Sequence, residues 1–228
     1  MRSAQRYAHR RSGAVSFAVI DLDGRMRSFH GAGTAPAASV FKVMLLATYL
    51  RQGSVRHRRL HDSDRRLLGP MIRRSDNAAA TRVRDIVGRG AIEGLAHDAH
   101  MRDFRYDQVW GLSRTSARDQ ARFMYRLGRY IPKRHWRYAK RLLSSIVGPQ
   151  RWGIGHVRPK GWHLYFKGGW GSGTGRVDHQ VAFLTRNRYR IAVAILTEFD
   201  PSHSYGKRTL KGVAKRLLRG LPRLPARF

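Results

Sequence analysis

Three short segments carry side chains whose types and spacing suit acyl-transfer chemistry. In Ser39-Val40-Phe41-Lys42 the serine and lysine stand three residues apart, so on a helix they share a face and the amine comes within hydrogen-bond reach of the hydroxyl. A lysine acts as a base only when partly neutral, which burial against Val43, Met44 and Leu46 and nearby positive charge would favour. In Ser75-Asp76-Asn77, ahead of Ala78-Ala79-Ala80, a second hydroxyl could pass a proton to a leaving nitrogen while the Asn77 amide binds a substrate carbonyl. In Lys167-Gly168-Gly169, leading into Trp170-Gly171-Ser172-Gly173-Thr174-Gly175, small residues let a substrate approach a strand closely, and strand N–H groups can stabilise an oxyanion. Each segment also has a purely structural reading. The first could be a capped helix start with a surface lysine, the second an N-cap before an Ala-rich helix, the third a flexible hairpin.

Other chemistries find less support. The Gly-rich stretch is not followed by Lys-Ser or Lys-Thr opening a helix, so it does not read as a phosphate cradle. No histidine pair has HExxH spacing and there is no cysteine, so no metal or other cofactor is expected and no thiol nucleophile is possible. His30, His156, His163, His179 and His203 read as surface or satisfied core residues. Trp110, Trp152, Trp162 and Trp170 either wall a cleft near the motifs or pack in the core.

The elements that must position these residues follow from the apolar pattern. Val15 to Ile20 and Arg25 to His30, separated by Asp21-Leu22-Asp23-Gly24, read as a β-hairpin. Val40 to Leu50 reads as a buried helix whose first turn lies around Ser39, with Gly53 ending it. From Val55 to about Gln150 the pattern is helical, cut by Gly69-Pro70, Gly88, Pro132 and Gly148-Pro149. Ser116 and Asp119 have the spacing of a capping box. Trp162 to Phe166, Asp178 to Thr185 and Arg190 to Thr197 read as strands, and Ser204 to Leu221 as a closing amphipathic helix. Strands at both ends with helices between imply an α/β (α+β) fold, an antiparallel sheet flanked by helices. Residues 1–52 and 151–228 would form the α/β lobe and 53–150 an inserted all-helical lobe.

With 228 residues, 42% of them hydrophobic, the chain can bury a substantial core. Its 46 Lys+Arg against 14 Asp+Glu give a formal charge of +32, which suits an anionic environment such as nucleic acid, anionic lipid or acidic wall polymer. The arginines are spread along the length rather than gathered in one stripe, so non-specific association with an anionic polymer is expected and sequence-specific DNA reading is not. Ala14 to Ile20, after the basic Met1 to Gly13, is too short for a membrane span and lacks a signal cleavage site.

In order along the chain, Ser-x-x-Lys, Ser-Asp-Asn and Lys-x-Gly resemble the signatures of class A β-lactamases and penicillin-binding proteins. Thr115 to Asp119 looks like that family's helix-opening segment, and Gln150 to Ile154 resembles its compact actinobacterial members. The resemblance implies a Ser39 nucleophile, Lys42 as its base, Ser75 as proton relay and Asn77 holding a side-chain amide. It further implies Lys167 anchoring a substrate carboxylate, Gly169 beside the substrate, and an oxyanion hole from the N–H groups of Ser39 and Trp170. It also implies a monomer that acts on β-lactams or peptidoglycan-like amides in the cell envelope or outside the cell. Two features differ from the family pattern. Gly168 stands where the family has a threonine that helps hold the carboxylate, leaving Ser172 or Thr174 as substitutes. The family's water-activating glutamate is missing: the two glutamates, Glu93 and Glu198, lie outside the 105–115 segment, where Asp107 is the one carboxylate. Slow deacylation is therefore expected, with Asp107 as the possible substitute.

Overall fold

Apolar runs at both ends of the chain pair with one another to make the sheet. The structure, a computed structural model, describes residues 1–171 and 176–221. Helix α1 (Arg2–His9) precedes strands β1 (Ala14–Ile20), β2 (Met26–Phe29) and β3 (Thr34–Pro36). A 3-10 turn, Ala38–Phe41, runs into α2 (Lys42–Arg51), followed by α3 (Gly53–Arg56), α4 (Asp62–Arg73) and α5 (Asn77–Asp98). Then come β4 (Arg114–Ser116), α6 (Ala117–Tyr130), α7 (Lys133–Ser144), β5 (His163–Gly171), β6 (Val177–Arg186), β7 (Tyr189–Glu198) and α8 (His203–Leu217).

The five-stranded sheet has the order β2-β1-β7-β6-β5, antiparallel throughout. Phe17 pairs with Ile195, so the first strand locks against the last. Ile191 to Leu196 is buried at every position, as a strand covered on both faces requires. Helix α6 packs against β1, β6 and β7, and α8 against β6 and β7. β3 and β4 form a separate two-stranded ribbon. Among the described residues, no helix is long and apolar enough to cross a membrane.

Helix α2 is the hub of the helical region. Lys42 through Leu50 are all buried, and fully burying a Val, Leu or Met side chain contributes roughly 1.5–3 kcal/mol. Such a helix cannot slide or fray, so whatever its first turn carries is held in place. The hairpin of β1 and β2, the buried central helix and the α8 pattern match the sequence reading. The closing helix ends at Leu217, short of Leu221, and three further features differ. The central helix stops at Gln52, where ψ rises to 140°, and Gly53 opens α3 instead of capping α2. The Lys167-Gly168-Gly169 segment does not leave the sheet, because β5 stays paired with β6 through Gly171. Ser116 accepts from Asp119 N at 3.2 Å as an N-cap. The Asp119 carboxylate, however, turns to Asp103 N instead of completing the box. Ser172, Thr174 and Pro222 lie outside the described residues.

Candidate active site

Ser39 sits in the tight turn that feeds α2, just after Ala38, whose φ of 44° is in the left-handed region. One turn on, Lys42 is 0% exposed and places Nζ 3.0 Å from Ser39 Oγ. Ser75 stands between α4 and α5 with φ at 60°. Left-handed non-glycine residues carry strain of order 1–3 kcal/mol and persist where the surroundings over-determine them. Here α2 on one side and α5 on the other do so. Asp76 is the true N-cap of α5, accepting from Ala79 N at 2.8 Å. Because Asp76 takes the capping work, Ser75 and Asn77 on either side of it are free to face Lys42.

Lys42 Nζ has four oxygens in reach: Ser75 O and Asn77 Oδ1 at 2.6 Å, Ser39 Oγ at 3.0 Å and Ser75 Oγ at 3.1 Å. The two shortest partners can only accept. A neutral amine gives its two N–H groups to them and turns its lone pair to a hydroxyl. Burial pulls the Lys42 amine down to about 7, the nearby Asp76 charge opposing that. The face of Trp110, with its centroid 4.8 Å from Nζ, also favours the cation.

The third segment arrives on β5, an edge strand of the sheet. Lys167 is 0% exposed, and its Nζ donates to Ser75 Oγ at 3.0 Å and Gly168 O at 2.7 Å. Burial drives this lysine well below its usual range, and the Lys42 charge adds to the effect. Gly169 lies against the nucleophile turn: a Cβ there would come 2.8 Å from Ser39 N and 2.9 Å from Val40 N. Only glycine allows that approach, and it brings Trp170 next along the strand. The structure thus gathers Ser39, Lys42, Ser75, Asn77, Lys167 and Gly169 into one cluster.

Asp107 is not part of that cluster. Its Oδ1 accepts from Val109 N at 2.7 Å, capping its own turn. What this segment brings to Lys42 is Trp110, anchored by Nε1 to Thr81 Oγ1 at 3.2 Å. Among the described residues no carboxylate hydrogen-bonds Ser39, Lys42, Ser75, Asn77 or Lys167. Glu93 pairs with Arg89 on the surface, and Glu198 ends β7. His179 is a satisfied core histidine, with Nδ1 accepting from Thr197 N and Nε2 donating to Pro36 O.

A second polar cluster was not apparent from the sequence. Asp178 and Asp200, each 1% exposed, meet at the start of α8 with His203, whose Nδ1 lies 2.5 Å from Asp178 Oδ1. A Cβ on Gly206 would overlap both carboxyl groups. Burial and then the Asp200 charge push the Asp178 carboxyl up to about 8, so near neutral pH this pair holds a proton. Asp178 is the second residue of β6 and Asp200 follows β7. The hairpin register that joins them was the signal available, and it is not written in the composition of either strand.

The model of the family described as "Beta-lactamase enzyme family" matches residues 61–221. None of the curated proteins matches in sequence. The fold is similar to that of a beta-lactamase from Sphaerobacter thermophilus, with a TM-score of 0.83, 21% identity, and coverage of 98% of this chain and 97% of that one. It is similar to an ancestral class A beta-lactamase at 0.82, 19% identical over 96% and 99% of the two chains. PBP-A aligns at 0.80 with 16% identity over 98% and 96%.

Proposed function

The chain belongs to the beta-lactamase enzyme family, and on that premise we propose that it is a serine hydrolase forming an acyl-enzyme on Ser39 with β-lactams or related amides and releasing it slowly. One observation carries this reading: Lys42 Nζ lies 2.6 Å from Ser75 O and Asn77 Oδ1, which can only accept, and 3.0 Å from Ser39 Oγ, so a neutral amine that satisfies the first two has its lone pair left for the hydroxyl. Neutral Lys42 takes the hydroxyl proton as Oγ attacks the carbonyl carbon. The N–H groups of Ser39 and Trp170 receive the developing oxyanion. The C–N bond then breaks, and the proton passes from Lys42 through Ser75 Oγ, 3.1 Å away, to the departing nitrogen. Lys167, on the same hydroxyl, keeps the relay oriented, and the Asn77 amide, beside it, holds the substrate side chain.

Release of the acyl group needs a base for water. With Asp107 tied to its own turn and Trp110 against Lys42, the described residues supply no carboxylate there. Intact-mass measurement after incubation with benzylpenicillin tests the reading. Wild type should carry a long-lived adduct, Ser39→Ala none, and Asp107→Asn an adduct of unchanged lifetime. A folded wild type that takes no adduct refutes the chemistry.

A binding role for the charge is favoured by one further observation. Helices α1, α7 and α8 carry arginine and lysine along their exposed faces and not one aspartate or glutamate. That surface suits an anionic polymer and operates independently of the Ser39 reaction.

A further inference from the structure

Three helices of the helical region end close together. α2 stops at Arg51, α5 at Asp98 and α6 at Tyr130. The chain then turns through Ile131, extended with ψ at 128°, and Pro132, and α7 begins at Lys133. A cavity of about 730 Å³ lies among these ends, its walls including Arg51, Arg56, Asp98, Arg129 and Lys133. That volume is within the range of small-molecule sites, roughly 300–1,000 Å³. It stands at the opposite end of α2 from Lys42, about 14 Å along the helix axis, so it is separate from the Ser39 cluster and independent of the reaction proposed there.

The charge on its walls is unbalanced. Four cations line it with one carboxylate, and among the described residues only Arg51 is paired, its Nη2 lying 2.5 Å from Asp98 Oδ2. Nη1 of the same guanidinium is buried without an acceptor, an arrangement that costs stability. Arg51 and Arg129 stand in the last turns of their helices, where a cation complements the helix dipole. Lys133 has the reverse placement, in the first turn of α7, where the dipole disfavours a cation and no acidic residue offsets it. Arg56 and Arg129 are exposed, so packing does not call for them. The dipole therefore explains two of the four cations, whereas a ligand that brings negative charge explains all of them.

Guanidinium forks match phosphate oxygens bidentately, and a phosphate offers three acceptor oxygens where a carboxylate has two. The cations come from α2, α3, α6 and α7, which calls for several linked groups and not one. We propose that this cavity binds an oligophosphate, two or more linked phosphate groups on a small molecule, with Arg56, Arg129 and Lys133 as the principal contacts and Arg51 completing the site.

Sodium tripolyphosphate is the probe, titrated calorimetrically into the protein at pH 7 with ionic strength held constant. A single saturable site is expected. Arg56→Gln combined with Arg129→Gln should weaken it about a hundredfold, roughly tenfold for each charge-assisted contact. Arg66→Gln combined with Arg82→Gln, which removes the same charge from exposed positions elsewhere, should change it less than about threefold. Asp98→Asn, which lifts the competing carboxylate from Arg51, should tighten binding about threefold or more, a gain that unfolding cannot produce. Circular dichroism and thermal melting establish that each variant is folded. Heat that never saturates, or an equal loss in the two double variants, assigns the binding to the general charge of +32 and overturns the proposal. Citrate binding as tightly as tripolyphosphate overturns the phosphate assignment, and inorganic phosphate binding as tightly overturns the need for linked groups. No binding to folded wild type overturns the site itself, and none of these results bears on the Ser39 adduct.

Discussion

If Lys42 is the base, the rate of acylation must follow its neutral fraction. An ordinary lysine near 10.5 is neutral in only about 3 of 10,000 molecules at pH 7, whereas one lowered to about 7 is neutral in about half. Burial thus raises the supply of base at pH 7 by roughly a thousandfold, worth about 4 kcal/mol of barrier. The acylation rate constant, followed by stopped flow or quenched mass spectrometry from pH 5 to 10, should climb about tenfold per pH unit below 7 and level off above about 8. Asp76→Asn refines the test, because the amide still accepts from Ala79 N while the charge that supports protonated Lys42 is gone. The midpoint should move to lower pH with the plateau retained. The same lowering also weakens the fold. The unfolded chain binds the Lys42 proton up to about 10.5 and the native chain only up to about 7, so this group makes stability rise with pH across that window. A rate that keeps rising log-linearly to pH 10, or one independent of pH, refutes Lys42 as the base.

Gly169→Ala should lower acylation by about a hundredfold or more in a protein that still melts cooperatively, since its Cβ would push on Ser39 N and Val40 N. Asp178 keeps a proton in the native state up to about 8 that the unfolded chain releases near 4. Its contribution to stability is therefore full below about 4 and lost as pH rises through about 8. Asp178→Asn, measured by urea unfolding at several pH values, should flatten that decline. The basic helices should hold the protein on heparin or duplex DNA at low salt, with retention falling linearly on a log–log salt plot. Salt-insensitive retention, or none, would remove the polyanion role.

The nucleophile pair was legible because it depends on a local rule: residues three apart share a helix face, and the apolar run after Ser39 announces a buried helix. Ser75-Asp76-Asn77 was legible as a motif but ambiguous as a structure, since an N-cap explained it fully. The structure resolves the ambiguity by dividing the labour, with Asp76 capping α5 and its neighbours turning to Lys42. Lys167 was expected at a strand end and lies inside β5, because glycines that look like a loop in sequence keep pairing when Val177 to Val181 run alongside them. The remainder was set by tertiary register. The lack of a side chain at Gly168 could be noticed, but what fills the space could not, because Trp152 is placed by a residue on a different strand. Gln180 on β6 accepts from Ile154 N at 2.7 Å and donates to Trp152 O at 2.8 Å. Gly153, with φ at 58°, lets the turn close over that amide, where a Cβ would overlap the Gln180 side chain. A contact made by a side chain two strand positions from His203's partner Asp178 therefore fixes Trp152, so Gln180→Leu should loosen Trp152 and lower the melting temperature while the Ser39–Lys42 pair stays in place.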